Sequence, residues 1–441
     1  MTPSDESNRP LARIVVMAAL IIAGEAVFML PFLIPRIFRP TVLDVFQISN
    51  FELGVAFSVY GAVAMVSYFA GGPLADRFSA RTLMALSLLA TGISGMVYAG
   101  IPSLSTLKVI YGFWGGTTIL LFWAALIRAT REWGGRGRQG QAFGLLDGGR
   151  GLVAALFASA TVGLLSVLLP VDPAAASLEQ RTDALIWVIR VIAGMTCAAA
   201  VLVFLFVPEN AAVISAGTAE VSGPPPRRRL TLRGVLAVIR LPAVWFQAVI
   251  ILCAYVGYKS IDNVSLLARD VYGYDDVEAS MLGTLAFWVR PFGAIGAGFL
   301  ADRMRASRVS LLSFGLLIVG NLVFALGVIP PGVLWVLAMT LVVSCLGMNG
   351  LRGIYFALFK EARVPLSVTG SAVGVVSVIG YTPDVFFGPL MGHLTDSAPG
   401  AQGHQNLYWV ITGFAVVGLL ATVMFRMVTR GAESGGQGDR S

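Results

Sequence analysis

Twelve times along the chain an apolar run of about twenty residues or more follows a short polar break. The runs lie near 12–34, 53–71, 82–101, 106–127, 142–169, 184–207, 241–262, 279–299, 309–328, 332–358, 367–392 and 406–427. Coiled as a helix, each reaches about 30 Å, the thickness of a bilayer's hydrocarbon core. In lipid, a backbone satisfies its own N–H and C=O groups only in helices or closed barrels. The runs therefore predict an all-α integral membrane protein of twelve transmembrane helices. The charge content agrees: 12% of the residues are Asp, Glu, Lys or Arg, about half the share of a soluble domain.

The formal net charge of +7 does not point to nucleic acid. The basic residues fall in short clusters between apolar runs, not on one basic face. With the N-terminus in the cytoplasm, about two-thirds of the Lys and Arg lie on that side. The opposite loops carry few, mainly Arg36, Arg39, Arg181 and Arg269. This asymmetry predicts a bacterial cytoplasmic-membrane protein with both termini in the cytoplasm. The first run contains Glu25, exceeds a signal-peptide core in length and lacks a clear cleavage site, so it is expected to stay as a helix. Cys197, Cys253 and Cys345 each sit inside an apolar run without metal-ligand spacing and read as packing residues. No metal or cofactor site is expected.

The longest inner loop contains "SGPPPRRRLTLRG" and reads as a linker. It divides the chain into an N-terminal six-helix bundle (1–209), a linker (210–240), a C-terminal six-helix bundle (241–430) and a tail (431–441). The halves repeat. "GPLADR" at 72–77 recurs as "GFLADR" at 298–303, "ALIRATR" at 125–131 as "ALFKEAR" at 357–363, and "AFGLL" at 142–146 as "AVGVV" at 372–376. Three matches in order, about 230 residues apart, indicate a duplicated six-helix unit of the kind found in secondary transporters.

With this repeat, the chain resembles the major facilitator superfamily over nearly its whole length. That family carries G-x-x-x-D-R-x-G-x-R between its second and third helices. Gly72, Asp76, Arg77 and Arg81 match, whereas Ser79 replaces the inner glycine. In the second half Gly298, Asp302 and Arg303 match, and Arg308 stands one residue late. The resemblance implies two pseudo-symmetric six-helix bundles and a gating role for Asp76, Arg77, Arg81, Asp302 and Arg303. It also implies that helices 1, 2, 4, 5, 7, 8, 10 and 11 line a cavity. The family's drug/proton efflux branch has a proline-containing glycine motif on helix 5 that is absent here.

A charge at mid-membrane costs about 2.5–3.5 kcal/mol, so each one is a functional candidate. Glu25, Asp147, Arg150, Lys259, Asp262, Arg290, Arg352 and Asp384 all fall in runs that the resemblance makes cavity-lining. Helical spacing sets Asn349 on the face of Arg352, and Tyr255 and Tyr258 on that of Lys259. Local i,i+3 pairing of Lys259 with Asp262 and of Arg150 with Asp147 would leave Arg290, Arg352, Glu25 and Asp384. The reading is a secondary active transporter, a proton-coupled symporter of a small organic anion such as a sugar acid, carboxylate or sulfonate. Arg290 and Arg352 grip the anion, with Arg150, Asn349, Tyr255, Lys259 and Trp114 as further substrate contacts. Glu25 and Asp384 carry the proton, and sodium is the alternative coupling ion.

Each assignment has a structural alternative. Arg290 could pair with Asp384, Arg352 could belong to the inner gate, Glu25 could be a neutral core acid, and Trp114 could only pack. Rival functions are a drug/proton or organic-phosphate antiporter and a transporter-like receptor. No nucleophile–base pair, metal cluster or phosphate loop suggests an enzyme. The expected partners are a small-molecule substrate, a coupling proton and the lipid bilayer, with the protein a monomer.

The stretch "GLLDGGRG" at 144–151 opens the fifth run. Its glycines let that helix pack closely on a neighbour. Its Asp147 and Arg150 occupy positions where the other half has Ser377 and Gly380. A charged pair in one half only suggests specialisation: Arg150 as substrate contact or inner-gate latch, held by Asp147.

Overall fold

The computed structural model describes residues 3–135, 138–209, 240–330, 332–362, 364, 376–398 and 400–435. Eleven of its helices are long and apolar enough to cross a bilayer. We number the membrane helices α1 (Ala12–Ile37), α2 (Asn50–Arg77), α3 (Ala80–Tyr98), α4 (Leu104–Gly134), α5 (Gln141–Leu168), α6 (Leu178–Phe206), α7 (Pro242–Tyr272), α8 (Asp276–Arg303), α9 (Ala306–Leu326), α10 (Leu334–Ile354), α11 (Pro383–Ser397) and α12 (Ala401–Arg430). Much of the run at 367–392 falls before α11, and its positions 367–375 lie outside the described residues. So do the expected linker, except Arg240, the repeat segment "AVGVV" apart from its last residue, and the end of the tail.

Helix starts follow local capping chemistry. Ser49 and Glu52 form a reciprocal capping box at α2, as do Ser177 and Gln180 at α6. Prolines within the helices have different outcomes. Pro31 lies in a π-helical turn, Met29–Leu33, that absorbs the hydrogen bond its ring cannot make. Pro73 and Pro291 are carried inside continuous helices. In α7 a 3₁₀ turn, Ser260–Asn263, separates the helices Pro242–Lys259 and Val264–Tyr272.

The described chain packs as two compact units. One holds the residues up to 209 together with Tyr274–Phe287; the other holds 240–273 and everything from Trp288 on. The first three turns of α8 thus belong to the first unit. There Asp276, only 1% exposed at its side chain, pairs with Arg181 at 3.1 Å and accepts a bond from Thr41 Oγ1 at 3.2 Å. Arg181 also reaches Asp44 at 3.3 Å, and buried Arg39 donates through Nε to Asn50 at 2.7 Å. These basic residues are structural members of the unit, not solvated loop charges.

In the second unit α9 and α10 approach through small residues. A Cβ on Gly347 would lie 2.6 Å from the backbone nitrogen of Leu317 and would also meet the Ser313 carbonyl. Gly347→Val is therefore expected to cost about 1–3 kcal/mol by overpacking. Thermal unfolding in detergent measures this, and an unchanged midpoint would show that the crossing yields.

Candidate functional site

In the first unit the charges gather around Arg150. Gly24 lacks a side chain, and the Arg150 side chain lies against it: a Cβ there would be 3.0 Å from Arg150 Cδ. Arg150 Nε donates to the Gly24 carbonyl at 3.0 Å. Its Nη2 lies 3.4 Å from Glu25 Oε2, and its Nη1 lies 3.8 Å from Asp147 Oδ1. The guanidinium also sits near the rings of Phe28 and Trp123, at 5.7 and 5.5 Å. Glu25 and Arg150 are both buried, whereas the Asp147 side chain is 77% exposed. The expected local pair is therefore the minor contact. Burial strengthens attraction to Glu25, while water screens Asp147. Gly149 provides the close approach of α5, against Ile21 on α1.

The second unit shows the same preference for tertiary partners. Lys259 Nζ lies 2.8 Å from Asp384 Oδ1 and 3.9 Å from its i+3 neighbour Asp262. Tyr255 donates its hydroxyl to Asp384, with oxygen distances of 3.0 and 3.1 Å. Beside them Arg352 lies over the Tyr258 ring, 3.8 Å from its centroid. Tyr355 and Tyr381 hydroxyls are hydrogen-bonded at 3.0 Å, and the Tyr381 ring meets Tyr255 edge-on. Stacking occupies the face of the guanidinium and leaves its edge donors for other partners. Arg352 Nη1 is buried and without a hydrogen-bond partner among the described residues.

Other expected contacts are placed differently. Asn349 is buried and turns its amide back to the Cys345 carbonyl at 2.9 Å, with its Cβ facing Gly293 of α8. Trp114 is fully buried, its indole N–H on Ser94 Oγ at 2.8 Å and its ring against Tyr98 and Tyr111. Its side chain packs a core and presents no open face. Arg290 is half-buried in α8, in the turn of Pro291.

The motif between α2 and α3 is built around a residue that the sequence reading used only to align the repeat. Arg128 donates to the carbonyls of Ala75 and Phe78, closing the C-terminal end of α2, and pairs with Glu132 at 2.8 Å. Asp76 and Arg77 are exposed, and Arg81 pairs with Glu209 at 3.0 Å. Asp302 and Arg303 are likewise exposed; nearby, Glu361 accepts a bond from the Ser307 amide at 2.9 Å. Among the described residues no three His, Cys, Asp or Glu side chains converge as metal ligands.

Long apolar helices, a duplicated plan and paired charges within the membrane segments define a multi-pass membrane protein with a transporter fold. A family model described as Major Facilitator Superfamily matches residues 14–388, and the chain belongs to that family. It is 28% identical over 428 residues to the inner membrane protein YqcE of Escherichia coli (strain K12), covering 94% of both chains. It is 23% identical over 411 residues to the inner membrane protein YihN of the same organism, covering 92% of this chain and 93% of that one. Among solved structures, a bacterial homolog of the human lysosomal transporter Spinster shares the fold. Its TM-score is 0.67, at 15% identity and 98% coverage of each chain. The nucleoside transporter NupG does so with a TM-score of 0.68, at 14% identity over 95% of this chain and 98% of that one.

Proposed function

We propose that the chain is a proton-coupled secondary transporter of a small organic anion, working by alternating access in a cytoplasmic membrane with both termini inside. The observation that carries this reading is Arg352. Its guanidinium is stacked on Tyr258 with a buried Nη1 that has no hydrogen-bond partner among the described residues. A carboxylate or sulfonate offers paired oxygens to such an edge. The hydroxyls of Tyr255, Tyr355 and Tyr381 lie in the same cluster and suit a hydroxylated carbon skeleton.

Glu25 is the proton carrier in this reading. Ionised, it holds Arg150; protonated, it gives up the charge that holds Arg150 and frees that cation. Asp384 plays the corresponding part for Lys259. Asp76, Arg77, Arg81, Asp302, Arg303 and Asp147 serve the inner gate. A second reading rests on the same pairs. With Lys259 matched by Asp384 and Arg150 by Glu25, the tyrosines alone could stack a neutral flat ring. NupG, whose fold this chain shares, is a nucleoside transporter, and nucleosides are of that kind.

Proteoliposomes under an imposed proton gradient separate the two. Sugar acids, carboxylates, sulfonates and phosphates are offered beside nucleosides. One anion class is expected to accumulate. Glu25→Gln should abolish accumulation and spare exchange, and Arg352→Lys should weaken affinity by about tenfold or more. Accumulation of nucleosides alone, or anion affinity untouched by Arg352→Lys, would sink the anion reading.

A further inference from the structure

One polar cluster, buried at His404 and Asn263 and open to solvent at Asp270, takes no part in the arrangement described so far. His404, on the first turn of α12, is 2% exposed. Its Nδ1 lies 2.9 Å from Asn263 Nδ2, and its Nε2 lies 3.3 Å from Asp270 Oδ2. An amide N–H₂ only donates, so Nδ1 must accept, and the proton of the neutral ring must sit on Nε2, where it donates to Asp270. Asn263 is fully buried, and its own Oδ1 has no hydrogen-bond partner among the described residues. The Tyr408 hydroxyl, also buried, stands within interaction range of the Asn263 side chain.

A second proton does not fit this pattern as it stands. It would go to Nδ1 and face the Asn263 N–H₂, donor against donor. Turning the Asn263 amide over resolves the conflict. Oδ1, the unused acceptor, then meets the new Nδ1–H, and the N–H₂ is released to the neighbouring Tyr408 oxygen. The cluster therefore has two hydrogen-bonded states that differ by one proton and one amide rotation, and only in the second is Asn263 Oδ1 used.

We propose that Asn263, His404 and Asp270 form a proton-binding site in which protonation of His404 turns the Asn263 amide and is read out at the break in α7. The groups that face the cluster are Asp270 with its partner Arg269, and Tyr272, from the end of α7, together with Tyr408 from α12 and Cys345 from α10. On α11, His393 and Asp396 are exposed. The link to the rest of the unit is covalent. Asn263 is the last residue of the Ser260–Asn263 turn, which directly follows Lys259 and contains Asp262. A rotation at Asn263 thus acts one turn away from the Lys259–Asp384 pair. This site is additional to Glu25, and its test does not depend on any substrate.

The experiment is a pH titration of the full chain in lipid nanodiscs, followed by nitrogen NMR of labelled histidine and asparagine. The chain has two histidines, and His393→Gln assigns them. At high pH His404 should show the Nε2–H tautomer. On acidification both ring nitrogens should become protonated, and the Asn263 side-chain amide should shift at the same pH. Asn263→Asp, which supplies a permanent acceptor, should move that transition up by about one pH unit or more. An Nδ1–H tautomer at high pH would overturn the proposal. So would a His404 transition without a response at Asn263, or no transition over the range where the chain stays folded. Loss of anion uptake with this titration intact would sink the transport reading and leave the site standing.

Discussion

Asp384→Ala is expected to destabilise the second unit by about 3–5 kcal/mol, the usual cost of stripping the partner from a buried ion pair. Lys259 is 5% exposed at its side chain, and the carboxylate left to it, Asp262, stands at 3.9 Å, against 2.8 Å for Asp384. Tyr255 would lose its acceptor at the same time. Removing both charges separates scaffold from function. Lys259→Met with Asp384→Ala should recover part of the lost stability, because that pair's two charges go together while buried Asp262, 3.9 Å from Lys259, loses a nearby cation. Transport should not recover if Asp384 carries a proton. Thermal unfolding of the single and double variants forms the cycle that isolates the pair. A single variant as stable as the parent would show that water reaches Lys259 freely.

Arg150→Ala is expected to have an effect of similar size in the first unit, again about 3–5 kcal/mol. Glu25 would keep its burial and lose its cation, and the Gly24 carbonyl would lose its donor. An uncompensated carboxylate such as Glu25 is relieved by gaining a proton and an uncompensated ammonium such as Lys259 by losing one, so the two losses depend on pH in opposite directions. The loss should therefore shrink as pH falls, since protonation removes the uncompensated charge. Stability of Arg150→Ala measured across pH 5–8 checks this. A pH-independent loss would mean that packing of the Arg150 stem against Gly24, Phe28 and Trp123 dominates.

The helical architecture was legible because lipid allows few solutions. Run length fixes the helices, and charge asymmetry and the repeat organise them. The individual charged residues were legible for the same reason, since few charges are tolerated in such runs. Their partners were not. Spacing offers only i,i+3 and i,i+4 neighbours, and it suggested Asp147 for Arg150 and Asp262 for Lys259. The structure gives Glu25 and Asp384 closer positions, each 125 residues away in sequence. Such contacts depend on which helix faces meet, and a single sequence does not encode that in any local period. Trp114 was left between two readings for a related reason: a tryptophan between glycines fits a packed core and a binding surface equally well. Arg128 was visible as a repeat element, but its capping of α2 depends on two carbonyls some fifty residues earlier.

Gly24 also constrains the history of the chain. The Arg150 side chain occupies the space that a substituent at position 24 would need. Arginine can be lost from position 150 while glycine stays at 24 without any clash, but Glu25 then loses its cation. The reverse order is obstructed, because a large residue at 24 must displace a side chain already bonded to that residue's own carbonyl. The two positions are therefore coupled in both directions: a side chain at 24 meets that of Arg150, and a change at 150 uncovers Glu25.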